Sequence, residues 1–449
     1  MSQLNYWTPD SWKSRPIKQW VDYPDPEALE TALHQLSHFP PLVTSGEIEM
    51  LRKQLAVAED GEYFVLQGGD CSETFEACTS NVITSKLKIM LLMSYVLIYG
   101  SRKRILRIGR IAGQYAKPRS KDTETHDGVT LPSYRGPLVN RPEFTAEART
   151  PDPENLLRGY SHAALTLNFV RSFVSGGFAD MHHPEYWELG FVNLSEHSQE
   201  YRRIFQSIDT SIHFMEVVAG KIDQLTETTF FCSHEGLHLP YEQAQTRRVP
   251  RRSNWYDLTT HFPWIGDRTR QLDGAHVEFF RGIANPIGVK VGNSMAPDEL
   301  VELTQVLNPN NEKGRLCLIH RFGAANVETK LPPLVEAIQK SKRNVLWICD
   351  PMHGNTHTTE NGLKTRSFDD ILAELFASFR ILENEGTRLG GIHVEMTGDN
   401  VTECTGGARG LTEKDLIRHY ETDVDPRLNY EQSIEMALRI AERQASQRR

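Results

Sequence analysis

Short runs of apolar and β-branched residues that stop abruptly on a polar side chain recur along this chain, which is how the strands of a buried parallel sheet read in sequence. They fall at 63–67, 104–108, 229–232, 261–265, 287–291, 316–319, 345–349 and 392–395. The fourth is the weakest, because Pro263 has no N–H to give to a ladder. Apolar residues at helical spacing lie between most of them, at 82–99, 297–307, 330–341 and 368–385. Strands alternating with helices predict an α/β fold, and this number of strands predicts a (β/α)8 TIM barrel. A doubly wound open sheet shows the same alternation and differs only in closure.

One interval breaks the rhythm. Between the second and third runs the chain is far longer than an ordinary connection, so an insertion is expected at about 118–226. Its first part, 118–153, is rich in Pro, Gly and charge and reads as a long surface loop. Its second part, 155–174 and 198–225, has helical spacing and reads as an appended helical pair suited to interaction or regulation. Residues 1–58, with a helix near 26–36, form an N-terminal extension, and 59–449 form a single catalytic barrel.

Composition narrows the function. With 50 Lys+Arg against 59 Asp+Glu the net charge is −9, which argues against a protein that coats nucleic acid. Six cysteines are scattered without paired CxxC spacing, so a disulfide framework is not expected. The N-terminus carries no signal-peptide pattern and no uninterrupted apolar run reaches membrane-spanning length. The expectation is a cytoplasmic chain with no membrane or nucleic-acid partner.

In barrels of this kind chemistry sits at the C-terminal ends of the strands, so the residue that ends each run matters most. Those ends carry Gly69-Asp70-Cys71, Gly109-Arg110, Ser233-His234-Glu235, Gly266-Asp267-Arg268, Lys290, His320-Arg321, Asp350-Pro351-Met352-His353 and His393-Val394-Glu395. Cys71, His353 and Glu395, with Asp425, offer sulfur, nitrogen and oxygen ligands that suit Mn²⁺, Fe²⁺, Co²⁺ or Zn²⁺. Taken singly, Cys71 also reads as a small buried thiol and His353 as a hydrogen-bonded loop residue. A second set, Arg110, Lys117, Arg119, Arg268, Lys290 and Arg321, would hold an anion. Lys117 and Arg119 lie on a loop and read equally as solvated charges, whereas Lys290 and Arg321 stand in or beside apolar runs, where an unpaired charge is costly. Gly109-Arg110-Ile111-Ala112-Gly113-Gln114 looks like a Gly-rich phosphate loop without matching a dinucleotide fingerprint. The polar stretch 397–404 reads either as part of the mouth or as turn chemistry.

These residues stand in longer motifs. They include Trp7-Thr8-Pro9-Asp10-Ser11-Trp12, Leu66-Gln67-Gly68-Gly69-Asp70-Cys71, and Arg110-Ile111-Ala112-Gly113-Gln114-Tyr115-Ala116-Lys117-Pro118-Arg119-Ser120. Ser233-His234-Glu235, Arg268-Thr269-Arg270-Gln271, Asn285-Pro286-Ile287-Gly288-Val289-Lys290, Cys349-Asp350-Pro351-Met352-His353-Gly354-Asn355 and Asp425-Pro426-Arg427-Leu428-Asn429 continue the series. In these the chain resembles the type II 3-deoxy-D-arabino-heptulosonate 7-phosphate (DAHP) synthases from residue 7 to about 430. The resemblance implies a transferase that condenses phosphoenolpyruvate with erythrose 4-phosphate and releases phosphate, at the head of the shikimate pathway. It implies one divalent ion per subunit, Mn²⁺ or Co²⁺ before Fe²⁺ or Zn²⁺, on Cys71, His353, Glu395 and Asp425. Phosphoenolpyruvate would lie on Arg110, Asp267, Arg268, Lys290 and Arg321, with Lys117 at the aldehyde and Arg119 and Ser120 on the aldose phosphate. Cys71, Lys117 and Asp267 are then the catalytic positions. It further implies a homo-oligomer, dimer or tetramer, with aromatic amino acids as effectors. Asp267 stands where the family usually has Glu, which shortens by one methylene a carboxylate expected to orient a water. Two other readings remain: another metal-dependent sugar-phosphate aldolase, and a catalytically silent regulatory protein on the same barrel.

Overall fold

The computed structural model describes residues 7–180 and 229–446, and between them only the isolated positions 199, 203, 206 and 210. Eight parallel strands close into a barrel: β1 (Tyr63–Gly69), β2 (Arg104–Arg110), β3 (Phe230–Glu235), β4 (Phe262–Ile265), β5 (Ile287–Val291), β6 (Leu316–His320), β7 (Leu346–Cys349) and β8 (Leu389–Glu395). β1 pairs with β2 on one side and with β8 on the other. That closure excludes the open doubly wound sheet. Every expected strand forms, including β4, where Pro263 is tolerated in a strand of four residues.

The N-terminal extension contributes α1 (Pro26–His38) and α2 (Ser45–Glu59). Thr44 and Glu47 close a capping box at the start of α2, and Ile48, Leu51, Leu55 and Ala58 are fully buried. Leu51, Leu55 and Ala58 pack with Val65, Leu106, Ile108, Cys317, Ile319 and Ile348 from the inner wall. This helix therefore plugs the N-terminal floor of the barrel, and the extension is part of the barrel core.

Outside the strands run α3 (Ser80–Ser101), α4 (Glu154–Phe173), α5 (Pro297–Leu307), α6 (Val327–Lys340), α7 (Phe368–Asn384) and α8 (Tyr430–Ser446). α3 is long and apolar enough to cross a membrane, but it is mostly buried as a barrel helix. Its Gly100 abuts Ala441 of α8. Burial on several faces, rather than lipid, accounts for its composition.

The insertion differs from its expected form. Strands Thr123–His126 and Val129–Pro132 form a hairpin, and a short helix spans Ala146–Arg149. Tyr134, Asn140 and Arg149 are buried, so 118–153 is a folded cover and not merely a surface loop. Of the expected helical pair, α4 forms; the second stretch, 198–225, lies outside the described residues apart from positions 199, 203, 206 and 210, which are helical.

Candidate active site

Side chains alternate across a strand with period two, and this period fixes what enters the barrel. From the floor upward, β2 sends in Leu106, Ile108 and then Arg110, while β3 sends in Phe231, Ser233 and then Glu235. Leu106, Ile108 and Phe231 belong to one apolar cluster with Phe262 and Trp264, whereas Arg110, Glu235, Lys290 and Glu395 line the cavity above. Gly288 makes room in the middle layer, since a Cβ there would lie 2.9 Å from atoms of Trp264 and Ile319. β2, β3, β5 and β8 thus change from apolar to charged near their C-terminal ends.

The cavity has a volume of about 740 Å³, within the range of small-ligand sites. Cys71, Arg110, Lys117, Arg119, Ser120, Asp267, Arg268, Lys290, Arg321, His353, Glu395 and Asp425 all line it. The structure therefore brings every residue of the expected metal-ligand and anion-binding sets to one mouth, from positions too far apart in the chain for any local motif to relate them.

On one wall, ligand atoms of Cys71, Glu395 and Asp425 lie within 4.8 Å of one another. His353 joins them, its Nε2 2.9 Å from Glu395 Oε1, while its Nδ1 faces Asp350 Oδ2 at 2.7 Å. A carboxylate behind the imidazole is the usual support of a metal-binding histidine. Gly69 stands in register between Arg110 and Glu395. Its φ of +143° and its missing side chain let Arg110 cross it, because a Cβ would run into the Arg110 backbone. Arg110 Nη2 then donates to Glu395 Oε1 at 2.9 Å, and Arg366 Nη1 donates to Oε2 at 2.7 Å. Burial opposes charge on Glu395, but His353, Arg366 and Arg110 hold its pKa well below the carboxylate range. Burial likewise works against Asp425, which Lys117 holds down from 2.7 Å. Lys117 Nζ also donates to Cys71 Sγ at 2.9 Å. Burial, followed by Glu395, pushes the Cys71 thiol up to about 12. Sulfur, imidazole and two carboxylates with cations behind them fit a divalent transition ion.

The opposite wall is cationic. Lys290 pairs with the buried Asp350, Arg268 Nη2 donates to Ser120 Oγ at 2.8 Å, and Arg119 Nη2 meets Glu124 Oε1 at 2.5 Å. Arg110 is largely committed to the protein, giving Nε to the Asp70 carbonyl and Nη1 to His393 Nε2 as well as its Nη2 bonds. One Nη1 hydrogen remains for a ligand. Glu374 of α7 accepts from Phe322 N at 2.7 Å and Asn355 Nδ2 at 2.8 Å. It thereby stitches together the β6 and β7 exits that carry Arg321 and His353.

Three stretches that the sequence leaves open take definite partners here. The phosphate-loop-like stretch is occupied by the protein itself, for Ala112, Gly113 and Gln114 donate their N–H groups to the Glu73 carboxylate. The 397–404 stretch lies outside the cavity lining; Thr397 closes onto Asp399, and Glu403 grips Arg427. Asp267 reaches the cavity but is held by Arg270 Nε at 3.0 Å. Among the described residues lining the cavity, Glu235 has a buried carboxylate oxygen without a hydrogen-bond partner, Oε1. Burial raises its pKa, although Lys290, Arg268 and Arg110 pull the other way. Glu235 carries a sequence signal, because it ends the third run, whereas the water-orienting carboxylate expected from the resemblance is Asp267. Arg366, buried on a short hairpin strand (Lys364–Arg366), had no sequence signal.

Residues 7–441 match the model of the class-II DAHP synthetase family. The chain is 47% identical over 433 residues to a phospho-2-dehydro-3-deoxyheptonate aldolase of Streptomyces coelicolor, covering 96% of each chain. It is 45% identical to a Neurospora crassa protein of that name, covering 99% of this chain and 95% of the relative. To the Mycolicibacterium smegmatis phospho-2-dehydro-3-deoxyheptonate aldolase AroG it is 43% identical, over 96% and 94%.

Proposed function

The chain belongs to the class-II DAHP synthetase family, and on that premise we propose how its residues divide the condensation of phosphoenolpyruvate with erythrose 4-phosphate between them. The observation that carries the reading is the meeting of a four-residue ligand set and a cationic wall in one cavity. Cys71, His353, Glu395 and Asp425 would hold one divalent ion, Mn²⁺ or Co²⁺. When bound there, such an ion supplies Lewis acidity toward the aldehyde oxygen.

Lys290, Arg321 and Arg268, with the remaining Arg110 hydrogen, hold phosphoenolpyruvate, and Arg119 and Ser120 hold the aldose phosphate at the rim. Gripping two polyanions against their repulsion brings C3 of phosphoenolpyruvate to the aldehyde carbon in near-attack geometry. Carbon–carbon bond formation leaves positive charge at C2, where water adds. Glu235, with its free oxygen, orients that water and accepts its proton. The resulting hemiketal phosphate collapses to the ketone and inorganic phosphate. Lys117, charged and 2.7 Å from Asp425, delivers a proton to the new alkoxide. The chain works in the cytoplasm as a homo-oligomer with aromatic amino acids as effectors, a reading supported by its family membership.

Mass spectrometry of the product tests the reaction. One seven-carbon keto acid phosphate and one free phosphate are expected per phosphoenolpyruvate consumed, with ¹⁸O from labelled water in the product and none in the phosphate. An ordinary aldolase would leave the phosphoenolpyruvate phosphate in place, and a silent regulatory barrel would form no product.

Lys290 gives a pH dependence. Burial lowers its pKa to about 8 from an ordinary 10.5; Asp350 resists this, while Arg110 and Arg321 reinforce it. The side chain is charged below pH 8 and neutral above it, so KM for phosphoenolpyruvate is expected to rise by up to about tenfold per pH unit beyond that point. Stability moves the other way. Between pH 8 and 10.5 the unfolded chain binds the extra proton, so the contribution of Lys290 to stability rises with pH across that window. KM measured against pH for each substrate checks this, and a flat profile for phosphoenolpyruvate contradicts it.

A further inference from the structure

The loop that carries Lys117, Arg119 and Ser120 is held from an unexpected quarter. Residues 16–23 of the N-terminal extension run past it as a strap fixed at both ends. Ala275 N donates to the Pro16 carbonyl at 2.9 Å, and Tyr23 Oη pairs with His238 Nε2 at 3.0 Å. Trp12 Nε1 adds a bond to Gln243 Oε1 at 2.9 Å. Between the tethers, Gln19 adopts φ +62°, a conformation that few residues other than glycine visit without a reason. Its side chain reaches the loop. The Arg119 N–H donates to Gln19 Oε1 at 2.7 Å, and Gln19 Nε2 donates to the Arg119 carbonyl at 3.0 Å.

The amide thus grips both faces of one residue's backbone, as a neighbouring strand would. Gln19 Oε1 also accepts from Arg135 Nη1 at 3.3 Å, and the Arg135 carbonyl accepts from Lys117 N at 2.9 Å. Gln19 thus holds the Arg119 backbone directly and touches the side chain of Arg135, whose carbonyl holds Lys117 on the other side of Pro118. Packing offers the loop less: Arg119 and Ser120 border the active-site cavity on one side and a second cavity of about 600 Å³, lined also by Gln19, on the other. With open space on both sides, hydrogen bonds set the position of Arg119.

We propose that Gln19 is a positioning residue for the aldose phosphate, clamping the Arg119 backbone so that the guanidinium and the Ser120 hydroxyl meet that phosphate in place. The inference rests on the reading that Arg119 and Ser120 hold the erythrose 4-phosphate phosphate. It makes the extension part of the substrate site.

Gln19→Asn tests it, since Asn accepts the left-handed backbone but its amide is one methylene too short to span the gap. Loss of two hydrogen bonds predicts a rise of about tenfold in KM for erythrose 4-phosphate. KM for phosphoenolpyruvate is expected to stay within about twofold, and the Arg119 amide to exchange its hydrogen faster. Gln19→Glu, which keeps the shape and removes the Nε2 donor, should behave alike. An unchanged KM for erythrose 4-phosphate in Gln19→Asn, beside a large rise in Arg119→Ala, overturns the clamp alone. An equal rise in both KM values also overturns it, as the mark of general loosening. If Arg119→Ala itself leaves KM for erythrose 4-phosphate unchanged, the reading of the phosphate site fails and takes the clamp with it.

Discussion

Replacing Cys71 with alanine is expected to lower kcat by about a thousandfold or more while the barrel stays folded. The thiol is buried at the end of β1, 2.9 Å from Lys117 Nζ and 3.5 Å from Asp425 Oδ2. In the proposed metal site it is the one soft donor in a set otherwise made of imidazole and carboxylates. Without it the ion is held by fewer donors, and Lys117 loses one of its two contacts at the site. A Lewis acid is worth several kcal/mol of transition-state stabilisation, and each 1.36 kcal/mol is about tenfold in rate. Stability should change little, because the lost atom faces the open mouth and leaves no sealed cavity. Turnover, a Mn²⁺ binding isotherm and a thermal melt on the same sample check the three parts. Turnover at the unsubstituted rate with weakened Mn²⁺ binding would show that the ion is not needed for the reaction.

Glu235→Gln is expected to cost about a hundredfold to ten thousandfold in kcat with small changes in either KM. The substitution keeps the shape and removes the ability to take a proton from water. Its partner experiment is Asp267→Asn. Because Arg270 already holds Asp267 at 3.0 Å and the free buried oxygen belongs to Glu235, Asp267→Asn should cost far less. The reverse order would return the water to Asp267, the position that the family resemblance points to.

The barrel was legible because its strands are buried on both faces and so read as short apolar runs, and because the chemistry sits where those runs end. The convergence of Cys71, His353, Glu395 and Asp425 was not, since only barrel closure relates residues that far apart. Other losses have local causes. Asp127-Gly128 is a strong two-residue hairpin signal, and both residues take positive φ, 50° and 81°, yet the charge and proline around it read as loop. Glu73 fills the backbone nest of 112–114 from thirty-nine positions away, so the local sequence could show a phosphate cradle but not its occupant. α2 has the apolar spacing of a packed helix, but its place as the barrel floor follows only from closure. Glu235 and Asp267 both follow strand runs, and only the burial of Glu235 Oε1, which sequence does not show, sets the two carboxylates apart.

The account depends most on the ligand set and the cationic wall acting together on two phosphorylated substrates. Its most direct test follows phosphoenolpyruvate and free phosphate in metal-stripped chain supplied with erythrose 4-phosphate, before and after Mn²⁺ or Co²⁺ is restored. The account predicts no consumption without the ion, and with it one phosphate released per phosphoenolpyruvate at about one ion per chain. Undiminished consumption in the stripped protein, or none with any divalent ion in protein that remains folded, would contradict it.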